Sequence, residues 1–248
     1  FIMMPALWVS KTGLEAQDLA LTTVSNNLAN VSTTGFKKDR AVFEDLLYQV
    51  QRQPGANSSA DTRLPSGLQL GTGVRTAGTQ KIFTTGSLEL TDQPLDMAIN
   101  GRGFFQITMP DGTINYTRDG TFHINNEGVV VNVNGYPLEP QITIPEQTNN
   151  LTISKDGIVQ ATMFGDPTPQ ELGQIETADF INPAGLMATG GNLFQETAAS
   201  GAPVVGVPSE DGFGTLEQGA LENSNVEVVE ELVKMITVLS RCPASSKA

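Results

Sequence analysis

At 248 residues the chain exceeds the commonest single-domain size and can bury a sizeable core, so one large or two modest domains are expected. Hydrophobic residues make up 39% and aromatics 6%, beside 25 glycines and 14 prolines, which suits strands, turns and extended segments better than an all-helical globule. The 27 acidic and 14 basic side chains give a net charge of −13, which argues against nucleic-acid binding because phosphate backbones demand clustered Lys and Arg.

The N-terminal "FIMMPALWV" has no preceding basic residue and no small-residue cleavage site, so it reads as a helix lead-in rather than a signal peptide. No apolar run reaches the ~20 residues of a membrane span. Leu7, Leu14, Leu21 and Leu28 recur at heptad spacing, with Ser10, Gln17, Val24 and Val31 three positions after each. That repeat predicts an axial helix over residues 1–34 that packs along its length in a coiled-coil-like way. From Leu19 to Phe36 there is no charged side chain. Asn26, Asn27 and Asn30 fall off the leucine seam, where neighbouring copies are expected to meet them. Small polar side chains there can hydrogen-bond without the desolvation cost of unpaired ions. Gly35 then permits a turn, Phe36 anchors the exit, and Lys37 and Lys38 restore charge.

Residues 35–80 read as an extended connector. Pro54, Pro65 and the glycines at 55, 67, 71, 73 and 78 exclude a regular helix there, and so long a loop is expected to lie against something. Over residues 81–221 the turn signals "PDG", "RDG", "NEG", "NG" and "KDG" separate short strand candidates such as "GFFQIT" and "IVQATM". This predicts a β-rich domain, an antiparallel sheet or sandwich. Residues 222–248 close the chain with a second helix. Asn223 or Ser224 is its expected cap, Glu227, Glu230 and Glu231 suit its early turns, and Val226, Val229, Val233 and Ile236 form its apolar stripe. The predicted fold class is α+β: paired terminal helices forming a stalk, with the β-rich domain inserted between them.

No catalytic or cofactor constellation emerges. His123 is the only histidine and lies in strand-like "GTFHIN", so a histidine zinc site or triad cannot be built. Cys242 is the only cysteine, which excludes an internal disulfide. "GRGFF" precedes a strand rather than the helix a phosphate loop needs. Asp111, Asp119 and Asp156 could supply a glycosidase-like acid pair, yet each precedes a turn glycine, where Asp is favoured for backbone reasons. Two terminal helices, locally weak in propensity, are instead expected to order when many copies assemble head to tail into a helical tube.

"NNLANVSTTGFKK" and "SNVEVVEELVKMI" resemble the N- and C-terminal signatures of the bacterial flagellar rod and hook proteins. "RAVFEDLLYQ", "QPG", "LPSGLQLGTGV" and "GRGFFQI" bring the resemblance closest to the distal-rod members, over about residues 3 to 240. The resemblance implies a structural subunit of the distal rod, a helical tube that carries motor torque from proximal rod to hook. It implies no reaction and no cofactor. It places the chain in the periplasmic part of the basal body, exported without a cleavable signal. Its implied partners are further copies, the proximal rod and hook proteins, the surrounding outer-membrane and peptidoglycan ring proteins, and the export apparatus. Nucleic acid and direct membrane insertion are not implied. The segment with Gln53, Pro54, Gly55, Leu64, Pro65, Gly67, Leu68, Gly71 and Gly73 is the rod-specific part, expected to pack between subunits. A hook or proximal-rod subunit is the alternative within the family, and a cell-wall-cleaving enzyme the alternative outside it. Family members continue their last helix for several turns, whereas Pro243 interrupts it here, so either the sequence is incomplete or altered at this end or the helix pair is short.

Overall fold

The computed structural model describes residues 5–52 and 67–241. They form two compact units, each assembled from discontinuous stretches: residues 5–28, 39–52, 67–81 and 228–241 in one, residues 29–38 and 82–227 in the other. Cys242 and Pro243, and Gln53, Pro54, Gly55, Leu64 and Pro65, lie outside the described residues.

The first unit holds both helices. Helix α1 (Pro5–Ala29) opens on a proline, which suits the first helical turn because its missing N–H would be unpaired there anyway. It stops short of the expected residue 34. Thr33 Oγ1 donates to Asn30 Oδ1 and Thr33 N to Asn30 O, so local side-chain bonding replaces the next helical turn. Helix α2 (Val228–Arg241) starts later than expected. Ser224 Oγ accepts the N–H of Val226 in the preceding turn rather than capping the helix, and Val226 lies outside the helical stripe.

Between the helices, the first unit carries two antiparallel ladders. Strand β1 (Asp39–Asp45) pairs with β4 (Val74–Lys81), with a bulge at Val42/Phe43, and β2 (Tyr48–Arg52) pairs with β3 (Leu68–Gly71). Gly73 sits at φ +120°, where a side chain would collide with the Thr12 hydroxyl of α1.

The second unit is built from sixteen short strands among the described residues, β5 (Leu88–Leu90), β6 (Met97–Asn100), β7 (Phe104–Thr108), β8 (Ile114–Thr117), β9 (Phe122–Ile124), β10 (Val130–Asn132), β11 (Leu138–Glu139), β12 (Thr148–Ile153), β13 (Ile158–Met163), β14 (Asp166–Gln174), β15 (Thr177–Asp179), β16 (Met187–Gly190), β17 (Leu193–Gln195), β18 (Val204–Gly206), β19 (Thr215–Gln218) and β20 (Ala220–Glu222). A seven-stranded sheet runs β16-β17-β8-β7-β15-β18 with β11 also on β7, and β12-β13-β14 form a separate meander. Every strand pairing among the described residues is antiparallel, as the turn pattern predicted.

The central strand β7 is buried on both faces, because consecutive side chains point oppositely and each side has its own core. Phe105 packs with Phe122 at 5.2 Å between ring centres, within a cluster that includes Met97, Ile107, Leu138, Val159 and Ile175. Phe104 faces the other way, into a smaller aromatic cluster with Phe83, Phe180 and Phe194. Each such ring contributes about 1.5–3 kcal/mol by leaving water.

Candidate assembly surface

The leucine seam of α1 divides into two halves. Val24 is buried and Leu21 and Leu28 are half-buried, while Leu7 and Leu14 remain 69% and 46% exposed. On α2, Val229, Val233 and Ile236 are 58–68% exposed, with Leu232 and Leu239 exposed beside them. These predicted packing residues therefore form apolar faces that the described residues leave open. Val226 and Val31, expected on the same seams, are respectively buried and half-buried outside the helices.

Asn27 is placed differently from the expectation that neighbouring copies would meet it. Its side chain is buried inside the first unit. Oδ1 accepts from Asp39 N at 2.9 Å and Nδ2 donates to Asp39 O at 2.9 Å, so one amide completes a strand-like pair with the start of β1. Nδ2 also donates to Glu231 Oε2 at 3.2 Å, which ties α1 to α2. Glu231 is itself buried and takes a second bond from Lys234, whose ammonium its two glutamate partners hold above the ordinary lysine value despite partial burial. Asn26 is exposed and Asn30 half-buried, and both make contacts of their own.

In the second unit, residues 29–38 form a strap laid into the β structure. Gly35 N donates to Glu222 O at 2.7 Å, and Gly35 adopts φ +69° where a Cβ would stand 2.6 Å from Asp119 N. Two residues on, Lys37 is fully buried, and its Nζ donates to Glu222 Oε1 at 2.6 Å and Thr84 O at 2.7 Å. The other Glu222 oxygen meets Arg118 Nη1 at 3.3 Å, and Arg118 Nη2 donates to Gly101 O at 2.6 Å. Burial pulls the Lys37 and Arg118 pKa values down, with Glu222 opposing the effect in each. Two buried cations thus share one buried carboxylate, whose remaining capacity is filled by Gly86 N at 2.8 Å. Lys37 does restore charge beyond the uncharged stretch, as expected, but inside the β unit, and nothing local in the sequence marks it as buried.

Of the rod-specific segment, Gly67, Leu68, Gly71 and Gly73 are described. Leu68 and Leu70 are exposed on β3, with Leu70 paired to Gln49 of β2, and Tyr48 and Val50 of β2 are exposed as well. Asp111 accepts the N–H and hydroxyl of Thr113, which hold its carboxyl below the usual carboxylate range, the wrong direction for a general acid. Asp119 likewise accepts from Thr121 N in its turn, and His123 is exposed on β9. No group of three or more His, Cys, Asp or Glu side chains suited to a metal ion occurs among the described residues. No helix there is long and apolar enough to cross a membrane.

Comparison with known families places matches along the chain. Residues 7–37 match the model described as flagella basal body rod protein, residues 98–161 the flagellar hook protein FlgE/F/G D1 domain, and residues 217–239 the flagellar basal body rod FlgEFG protein C-terminal. The chain is 53% identical over 246 residues to flagellar basal-body rod protein FlgG of Buchnera aphidicola subsp. Schizaphis graminum, covering 99% of this chain and 95% of that protein. It is 48% identical over 248 residues to flagellar basal-body rod protein FlgG of Borreliella burgdorferi, covering 99% and 94%. Its similarity to flagellar hook protein FlgE of Helicobacter pylori is narrower, 37% identity over 157 residues, which is 63% of this chain and 22% of that protein.

Proposed function

The chain belongs to the flagellar basal-body rod protein family, and from that premise we propose that it is the repeating unit of a helical tube in the distal rod. It is a structural protein of the flagellar basal body and not an enzyme. The observation that carries the tube reading is the open apolar face of α2, with Val229, Val233 and Ile236 uncovered among the described residues. Copies stacked head to tail would cover these stripes and the open Leu7–Leu14 half of α1, and a non-closing contact of that kind propagates as a filament. In this reading Leu21, Val24 and Leu28 hold the helix pair, while Asn26 and Asn30 lie where subunits meet. The exposed Leu68 and Leu70, with the rest of the rod-specific segment, pack between subunits and stiffen the shaft. The shaft passes torque from proximal rod proteins to the hook within its ring proteins in the periplasm, and its subunits arrive through the export apparatus.

Electron microscopy and sedimentation of the purified chain test this. Straight tubes are expected from the parent, and Val229→Asp is expected to remain monomeric with an unchanged circular dichroism spectrum. Tube formation by Val229→Asp would remove α2 from the interface.

A further inference from the structure

The sequence holds two Asn-Gly pairs, Asn100–Gly101 and Asn134–Gly135, each preceded by a β-branched residue, and both asparagines are exposed. Asn-Gly is the dipeptide most open to a spontaneous reaction of the main chain. The backbone nitrogen of the glycine attacks the asparagine Cγ, a new N–C bond forms, the C–NH2 bond breaks, and the proton of that nitrogen leaves with ammonia. Water then opens the five-membered imide at either carbonyl, giving aspartate or isoaspartate. Glycine favours the attack because no side chain shields its nitrogen. Ring closure requires the peptide plane after the asparagine to swing, so local opening in the fold decides which pair reacts.

We propose that Asn134 is a site of spontaneous deamidation and isoaspartate formation, and that the fold protects Asn100. Asn100 ends β6, where it pairs with Thr215 of β19, and its Nδ2 donates to Glu217 Oε1 at 3.4 Å. Buried Arg118 clamps the chain on both sides of it, Nη1 donating to Ile99 O at 3.2 Å and Nη2 to Gly101 O at 2.6 Å. A Cβ on Gly101 would stand 2.8 Å from the Gly214 Cα, so this glycine has no room to swing. Asn134 lies instead in the turn between β10 and β11. Around Gly135 the space is open, and a Cβ there would meet nothing within 4 Å. The plane that must move is held by Gly135 N donating to Asn132 O at 2.9 Å, in a turn that Asn132 Oδ1 braces by accepting Asn134 N at 3.0 Å and Tyr136 N at 2.9 Å. Bonds of an exposed turn open far more readily than a ladder clamped by a buried guanidinium. Either product adds a negative charge to the turn. Isoaspartate also inserts a methylene into the main chain and frees an α-carboxyl that an isoaspartate-specific methyltransferase can esterify.

Ageing of the folded full chain at mildly alkaline pH, followed by peptide mass spectrometry, tests the proposal, with Asn100 as the internal control. Asn134 is expected to convert at least ~10-fold faster than Asn100, a barrier difference of about 1.4 kcal/mol. In urea the two pairs, released from the fold, should convert at similar rates. Asn132→Ala loosens the turn and should speed Asn134 by roughly 3-fold or more, the scale of one exposed hydrogen bond, while leaving Asn100 unchanged. Methyl transfer from S-adenosylmethionine to the aged chain by an isoaspartate-specific methyltransferase is expected, and should be lost in Asn134→Gln. Equal rates in the folded chain, faster conversion of Asn100, a preference that persists in urea, no acceleration in Asn132→Ala, or methylation that survives Asn134→Gln would each overturn the proposal.

Discussion

Asn27 joins a helix, a strand and a second helix through one amide, so changing its hydrogen-bonding sense is a sharp test. Asn27→Asp keeps the shape but loses the donor to Asp39 O and sets a second carboxylate against buried Glu231. A loss of roughly 2–4 kcal/mol is expected in urea unfolding at pH 7. The like-charge pair raises the folded carboxyl pKa, so stability is intact below the unfolded value of ~4 and falls as pH rises through the raised one. Acid, or Glu231→Gln in the same chain, should therefore restore most of the loss. Lys37→Met leaves Glu222 in a neutral pair with Arg118 at 3.3 Å and bonded by the Gly86 amide, but removes the donor to Glu222 Oε1 and Thr84 O, and should cost the β unit about 1–3 kcal/mol. Tyr116 gives an independent optical check. Burial, reinforced by Glu196, pushes its phenol up to about 12, so one alkaline absorbance step should appear there and vanish in Tyr116→Phe. Because the unfolded phenol ionises first, Tyr116 contributes stability that is lost as pH climbs from ~10 to that value.

Whole elements were legible in the sequence where their signal is local. The heptad of α1, the valine stripe of α2 and the glycine turns between strands each depend on residues a few positions apart, and the helices and antiparallel strands follow them. The helix ends were misread because Asn30 and Thr33 bond to each other, and because Ser224 serves a turn: short-range competition that hydrophobic periodicity does not register. Double burial of β7 was hidden for another reason. "GFFQIT" shows no alternation, and only the packing of Phe83, Phe180 and Phe194 on one side and Phe122 on the other explains it. Lys37 and Asn27 were least legible of all, since their partners are 185 and 204 residues away. At this scale Leu21→Asp is expected to differ from Val229→Asp. Leu21 is half-buried within its own unit, so its variant should lower monomer stability as well as assembly, whereas exposed Val229 should affect assembly alone.

For the whole molecule, hydrogen exchange of the monomer should separate the strap from the helix it follows. Amides of the α1 half at residues 5–18 and of the α2 end at residues 233–241 are expected to exchange quickly, with their apolar faces uncovered. The Gly35 amide should be slow, because it is bonded to Glu222 O inside the β unit. Equal exchange along residues 5–38 would contradict a strap that belongs to the β unit. The distance in sequence between Lys37 and Glu222 also bears on time. Neither the strap's ion cluster nor the Asn27–Glu231 link can close until nearly the whole chain is available, and contacts of such long range make folding slow. A chain whose closing contacts come from Glu222 and Glu231 stays pliable until those residues are in place, so its two ends set the pace at which it becomes rigid.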